Sequence, residues 1–206
     1  LCESKIIRGR TFLSQFVSKV AANWLKKVLP LIIFDSQSAF QSNKAISDNI
    51  LVAFELLHHM KTQKSKKASV MTLKLDTSKT YDRVEWRFLV EIMRKMGFCD
   101  SWLKLIHECI STVSYSILVN GEPKGEIFPF RGIRQGDPLS PYLFLLCSEG
   151  LNQMIQKAAR EDSIRGFSLC KNGPKITHLF FADDSLLFCR ARKEDLQAIQ
   201  NILTSY

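Results

Sequence analysis

No apolar run in this 206-residue sequence approaches the about 18–20 residues that a membrane-spanning helix requires. Nothing near Leu1 resembles the apolar core of a signal peptide, so neither a membrane partner nor a secretory route is expected. Cys2, Cys99, Cys109, Cys147, Cys170 and Cys189 are scattered without a CxxC pair. That spacing argues against a zinc site or a disulfide framework and predicts free thiols in a reducing compartment. Internal repeats, linkers and low-complexity stretches are missing as well. Negative charge is in short supply: 20 acidic residues face 29 basic ones, for a net charge of +9. A basic balance is the electrostatic footprint of nucleic-acid binding, and equally that of an ordinary basic surface. Lys26-Lys27, the run from Lys61 to Lys67, and Arg131 with Arg134 carry the excess. "KTQKSKK" reads most simply as a solvated loop.

What is present is enough to build a core, with 46% hydrophobic residues. Phe12, Phe16, Val20, Trp24 and Val28 recur at helical spacing, and Pro30 is expected to end that helix. Ser47 and Asp48 can cap a second helix running through Ile50, Phe54 and Leu57 to about Met60. "SVMTLKLD", residues 69–76, sets Val70, Thr72 and Lys74 against Met71, Leu73 and Leu75, a strand ending on Asp76. Trp86, Leu89, Met93 and Met96 form the stripe of a helix stopped by Gly97, and another helix follows from about Ser101 to Ile110. "SYSILVNGEPKGEIFPF" reads as two strands around a turn. "RGIRQGDPLSP" is a loop feeding a long helix, with Ser140 as N-cap and Pro141 at the first helical position. Short strands and a hairpin fill residues 166–189, and a last helix begins at Lys193. The order suggests one α+β domain, a small antiparallel sheet backed by helices, with a helical N-terminal lobe.

The hairpin "HLFFADDSLLFC" places Asp183 and Asp184 between two apolar runs. Aspartate is ordinary turn chemistry. Two adjacent like charges nevertheless repel unless something positive lies between them, and no glycine relieves the turn. A divalent cation supplies that charge, and hard Mg²⁺ favours carboxylate oxygens. Asp76 ends another strand and brings a third carboxylate, the number that two-metal phosphoryl transfer uses. Asp82 reads as a helix N-terminal charge.

"LKLDTSKTYDRVEW", "RGIRQGDPLSPYLFLLCSEGL" and "HLFFADDSLLFC" resemble, in order and spacing, the palm motifs of reverse transcriptases of plant LINE-type (non-LTR) retrotransposons. "LKKVLPLIIFDSQSAF", "ISDNILVAFELLHHM" and "STVSYSILVNGEP" extend the resemblance over nearly all the chain. It implies a right-hand polymerase: fingers over about 1–68, palm over about 69–206, and the thumb missing beyond Tyr206. It implies an RNA-directed DNA polymerase in which Asp76, Asp183 and Asp184 hold two Mg²⁺ ions, with Mn²⁺ as a substitute. Tyr81 matches the aromatic under the sugar that rejects a 2′-hydroxyl, beside Thr80. Gln135 and Gly136 match the lining of the nucleotide pocket, and Lys44 falls near the triphosphate. Arg131 and Arg134 are candidates for template or phosphate contact, or plain surface charges. The implied partners are an RNA template, a DNA primer and dNTPs, and the implied location is the nucleus.

Several positions depart from the family pattern. Thr80 stands where alanine is usual, Lys44 and Trp24 where arginine is usual, and Leu1-Cys2 resemble the tail of a longer "RPISLC" motif. The start at Leu1 and the lack of thumb and endonuclease regions point to a fragment with little or no polymerase activity by itself. A catalytically inactive RNA-binding remnant of a retrotransposon is the alternative. Nucleotide cyclases share a palm-like sheet with metal carboxylates, but "RQGDPLSP" speaks against them.

Overall fold

The computed structural model describes residues 4–9, 12–34, 37, 46–62, 70–76, 79–170, 173–181 and 184–206. In chain order the elements are β1 (Ser4–Gly9), α1 (Phe12–Ile32), α2 (Ile46–Thr62), β2 (Val70–Asp76), α3 (Thr80–Arg83) and α4 (Trp86–Lys95). Then follow α5 (Asp100–Ser111), β3 (Ser114–Val119), β4 (Glu122–Ile127), α6 (Ser140–Arg160), β5 (His178–Phe181), β6 (Asp184–Arg190) and α7 (Lys193–Ser205). Two compact units divide them, one of Leu1–Leu29 with Lys79–Cys147, the other of Pro30–Ser78 with Ser148–Tyr206. Neither is a continuous stretch of sequence. The mixed helix and sheet content matches expectation, but the described residues form two small antiparallel sheets rather than one.

In the first unit the strand order is β1-β3-β4. Asn120 and Gly121 both have positive φ, 55° and 87°, so the β3–β4 connection has the backbone of a tight hairpin turn whose twist suits its strands. β1, which periodicity did not reveal, pairs antiparallel with β3 from Ser4↔Val119 to Gly9↔Ser114. The α4 stripe is as expected, with Leu89 and Met93 buried. The α1 stripe is not. Ala21, Ala22, Leu25 and Leu29 are buried, whereas Phe16, Val20 and Trp24 lie at the surface. The alanines allow close approach, and the bulkiest residues of the expected stripe are left outside; Trp24, 56% exposed, packs tilted by 37° against Trp102 with ring centroids 5.3 Å apart. Pro30 does not end α1, which continues to Ile32. The carbonyl that Pro30 leaves without a helical donor is that of Lys26, an exposed residue.

In the second unit the sheet order is β2-β6-β5, and helices cover both faces. Met71, Leu73 and Leu75 point to one face, where Phe180, Leu187 and Cys189 meet Leu151, Ile155 and Ala158 of α6 and Ile199 of α7. Val70, Leu186 and Phe188 point to the other, against Ala53 and Leu56 of α2. Each fully buried Leu or Phe contributes about 1.5–3 kcal/mol. α2 begins at Ile46, so Ser47 and Asp48 lie in its first turn rather than capping it, and Ile50, Phe54 and Leu57 are exposed. Asp195, fully buried near the start of α7, accepts a paired contact from Arg190 at 2.9–3.0 Å and the backbone N–H of Arg165. That joins α7 to the end of β6.

Candidate active site

The alternation of β2 carries Lys74 and Asp76 onto its α2 face, and the β2–β6 register sets Asp76 opposite Asp184. Directly opposed residues of an antiparallel pair share a face with Cα atoms about 4.5–5.5 Å apart. Two carboxylates from strands far apart in sequence therefore stand side by side at one end of the sheet. Lys74 Nζ lies 3.3 Å from Asp184 Oδ1 and answers part of the repulsion. Asp184 is not a turn residue, as the sequence suggested, but the first residue of β6, paired with Phe181. The register consumes it because Phe181 and Asp184 close the ladder and leave only two residues to connect the strands. Asp183 is one of those two and lies outside the described residues.

The donor set here is oxygen only, anionic and solvent-accessible, with an ammonium already drawn to it. Those residues fit a hard divalent cation such as Mg²⁺. Among the described residues no group of three His, Cys, Asp or Glu side chains converges, so a third carboxylate here depends on Asp183.

The remaining candidates belong to the first unit, except Lys44, which lies outside the described residues. Lys79 enters α3 in the left-handed conformation at φ 58°, and Thr80 and Tyr81 open that one-turn helix, both half-buried. The Tyr81 ring stacks on Phe144 of α6, centroids 5.4 Å apart and planes 18° from parallel. The loop between β4 and α6 is hydrogen-bonded to α3 and its exit: Ile133 N donates to Tyr81 O and Gly132 N to Val84 O, each at 2.7 Å. Trp86 Nε1 closes the clasp on Gly132 O at 2.7 Å. Gln135 and Gly136 sit at the exposed crest of this loop, Gly136 with φ 82° and nothing within 4 Å of where a Cβ would stand. Arg131 pairs with Glu85 at 3.4 Å and lies over the Phe130 ring. Arg134 lines a small pocket with Tyr115, Asp137 and Ser140.

The start of α6 differs by one residue from expectation. Leu143 N donates to Leu139 O, so Leu139 is the cap and Ser140 already helical. The side chain that serves this end is Asp137, buried, whose Oδ1 accepts from Leu139 N at 2.9 Å. The described cysteines Cys99, Cys109, Cys147, Cys170 and Cys189 are free thiols. Burial pushes Cys147 up to about 12 and Cys189 up to about 11, so both stay protonated at neutral pH.

The solved telomerase of Candida tropicalis, in an apo form truncated from its C-terminal domain, superposes over 93% of this chain and 36% of its own, with a TM-score of 0.51 at 16% identity. That likeness places the chain in the polymerase fold. The family model described as reverse transcriptase (RNA-dependent DNA polymerase) matches residues 6–206, and the chain belongs to that family. A Pol polyprotein of a type-1 R2 retrotransposable element from Popillia japonica is 32% identical over 132 residues, 64% of this chain. An uncharacterized 149 kDa protein of transposon TX1 from Xenopus laevis is 25% identical over 84% of the chain. An uncharacterized mitochondrial protein of Arabidopsis thaliana is 48% identical over 33% of it. The matched regions span 21%, 13% and 56% of those relatives. No described helix is long and apolar enough to cross a membrane.

Three residues escaped sequence reasoning. Lys74 read as the polar half of an alternating strand, Trp86 as part of a core stripe, and Asp137 as part of the loop before α6. Only Lys74 carried a usable signal, its i, i+2 spacing from a strand-end carboxylate.

Proposed function

We propose that this chain carries the fingers (about 1–68) and palm (about 69–206) of an RNA-directed DNA polymerase that extends a primer 3′-hydroxyl with dNTPs on an RNA template. The Asp76↔Asp184 register supports this reading most directly, because it assembles an anionic oxygen cluster from two motifs over 100 residues apart. Asp76 and Asp184 hold the divalent ions, with Asp183 as the third ligand. Two Mg²⁺ ions, or Mn²⁺ in their place, supply stabilisation of negative charge on the attacking and leaving oxygens. The chemistry forms a bond from the 3′-oxygen to the α-phosphorus as the bond to pyrophosphate breaks.

The other residues position the nucleotide. Tyr81, braced from behind by Phe144, presents a flat ring that leaves no room for a 2′-hydroxyl. Thr80 narrows the same wall relative to alanine. Gly136 lets backbone approach the substrate and Gln135 lines the pocket beside it. Lys44 contributes charge near the triphosphate without the bidentate fork of arginine. Arg131 and Arg134 contact the template backbone.

The reading is tested with the 206-residue chain, an RNA template with annealed DNA primer, and Mg²⁺. A rise in melting temperature with Mg²⁺ or Mn²⁺ and metal-dependent dNTP binding, both lost in Asp183→Asn, support it whether or not the chain extends the primer by itself. A melting temperature indifferent to Mg²⁺ and Mn²⁺, with no metal-dependent dNTP binding, sinks it. The net charge of +9 favours a second reading, an inactive RNA-binding remnant. RNA affinity that needs no metal and falls steeply with salt is its mark.

A further inference from the structure

β5 is a short edge strand. It has four residues, it stands at the edge of its sheet, and it forms the first arm of the hairpin whose second arm begins with Asp184. Among the described residues no further strand lies outside it. On its outer side Asn49 Nδ2 donates to Phe180 O at 3.2 Å, and Gln37 bridges Phe180.

A buried polar chain meets its first residue. Glu149 of α6 is 3% exposed, and its carboxylate accepts from Asn152 Nδ2 at 2.8 Å, Gln153 Nε2 at 2.7 Å and Phe34 N at 3.2 Å. Asn152 Oδ1 is 2.8 Å from His178 Nε2, and His178 Nδ1 is 2.9 Å from Thr177 Oγ1. With its amide nitrogen donating to Glu149, Asn152 turns its oxygen to the imidazole. An amide oxygen only accepts in turn, so His178 carries its proton on Nε2. Burial pushes the His178 imidazole down to about 4, so the ring is neutral and Nδ1 accepts from the Thr177 hydroxyl. Every donor therefore points toward Glu149.

We propose that Glu149, Asn152, His178 and Thr177 form a one-way hydrogen-bond clamp that fastens β5 to α6 and so holds the edge arm of the carboxylate hairpin. These are positioning residues. Their relevance to metal binding rests on the proposed polymerase function, whereas the clamp itself does not.

The ring-nitrogen signals of His178 in the ¹⁵N-labelled chain read the polarity. A single Nε2–H form is expected in the wild type, and a mixture in Glu149→Gln, where the new amide can donate as well as accept. A wild-type Nδ1–H form overturns the clamp. Amide hydrogen exchange reads the fastening. Asn152→Leu keeps the volume and cuts the chain, and should speed exchange at Leu179, Phe180 and Phe181 about tenfold beyond any change at Leu73. Ile155→Val, a core change that leaves the chain intact, should move both regions alike. Equal acceleration in both regions of Asn152→Leu also overturns the proposal. Thr177→Val removes only the last donor and gives the same readout, smaller, should Asn152→Leu fail to fold. Mn²⁺ affinity, several-fold weaker in Asn152→Leu, is the functional arm. Absence of Mn²⁺ binding by the wild type counts against the polymerase reading, while ring and exchange data decide the clamp.

Discussion

The ammonium of Lys74 lies 3.3 Å from Oδ1 of Asp184, diagonal to the strand pair that sets Asp184 opposite Asp76. A cation is thus already drawn to the carboxylates, on a side chain free enough to swing away, since both partners are about half or more exposed. An exposed pair of this kind contributes less than about 1 kcal/mol, so Lys74→Met should leave the stability of the metal-free chain nearly unchanged. Removing a competing positive charge should tighten Mn²⁺ binding by roughly threefold to tenfold. Calorimetric titration of both proteins at one ionic strength checks this. Weaker binding in Lys74→Met contradicts it.

Asp76→Asn and Asp184→Asn each remove one of two opposed negative charges. Without metal, Asp76→Asn should be as stable as the wild type or more so, by up to about 1 kcal/mol, because a like-charge pair is relieved, whereas Asp184→Asn also gives up Lys74 and should stay within about 1 kcal/mol of the wild type. With millimolar Mg²⁺ or Mn²⁺ the wild type should gain melting temperature and the variants should not. Thermal melts with and without metal give the answer, and a metal-dependent rise in Asp76→Asn excludes that residue as a ligand.

The same two aspartates show how far the sequence was legible. Asp76 could be placed because β2 alternates cleanly and both its faces are packed, so its register was set by its own pattern. Asp184 was assigned to a turn because sequence shows where a hairpin bends but not which residue closes its ladder. Periodicity served α4, whose apolar stripe is its buried stripe, and misled on α1 and α2. There Phe16, Trp24 and Phe54 lie outside, while the buried side pairs alanines with Leu25, Leu29 and Leu56, so the bulkiest residues do not mark the buried side. β1 was invisible because its partner, β3, lies over 100 residues away. The buried chain from Glu149 to Thr177 gave no local signal, since its members join only when α6 and β5 meet.

Gly132 is held where no other residue fits. Its φ is 87°, and a Cβ would stand 2.9 Å from the backbone oxygen of Asp82, an atom fixed within α3. Gly132→Ala should therefore lower stability by about 1–3 kcal/mol and loosen the loop against Tyr81. Gly136 has a similar φ of 82° but open space around it, so Gly136→Ala should cost only the backbone strain, about 1 kcal/mol. Urea unfolding of both variants tests the ordering; a larger loss at Gly136 reverses the argument.

His178 ties stability to pH. Burial lowers its folded-state value to about 4, against about 6.5 in an unfolded chain. Between those values the unfolded state binds a proton that the native state refuses, so protonation favours unfolding. Its contribution is fully present above about pH 6.5 and is lost as pH falls toward about 4, at most about 3 kcal/mol over that window. Asp162, held below its usual value by Arg165, loses its contribution at lower pH still. The quantity to measure is therefore the difference between wild type and His178→Gln, from urea unfolding at pH 7, 6 and 5. The wild type should lose stability with acid faster than the variant, because glutamine can still donate to Asn152 and does not titrate. Parallel losses in the two proteins would mean that the imidazole is protonated in the native state, and the one-way chain from Thr177 to Glu149 would then lack its neutral link.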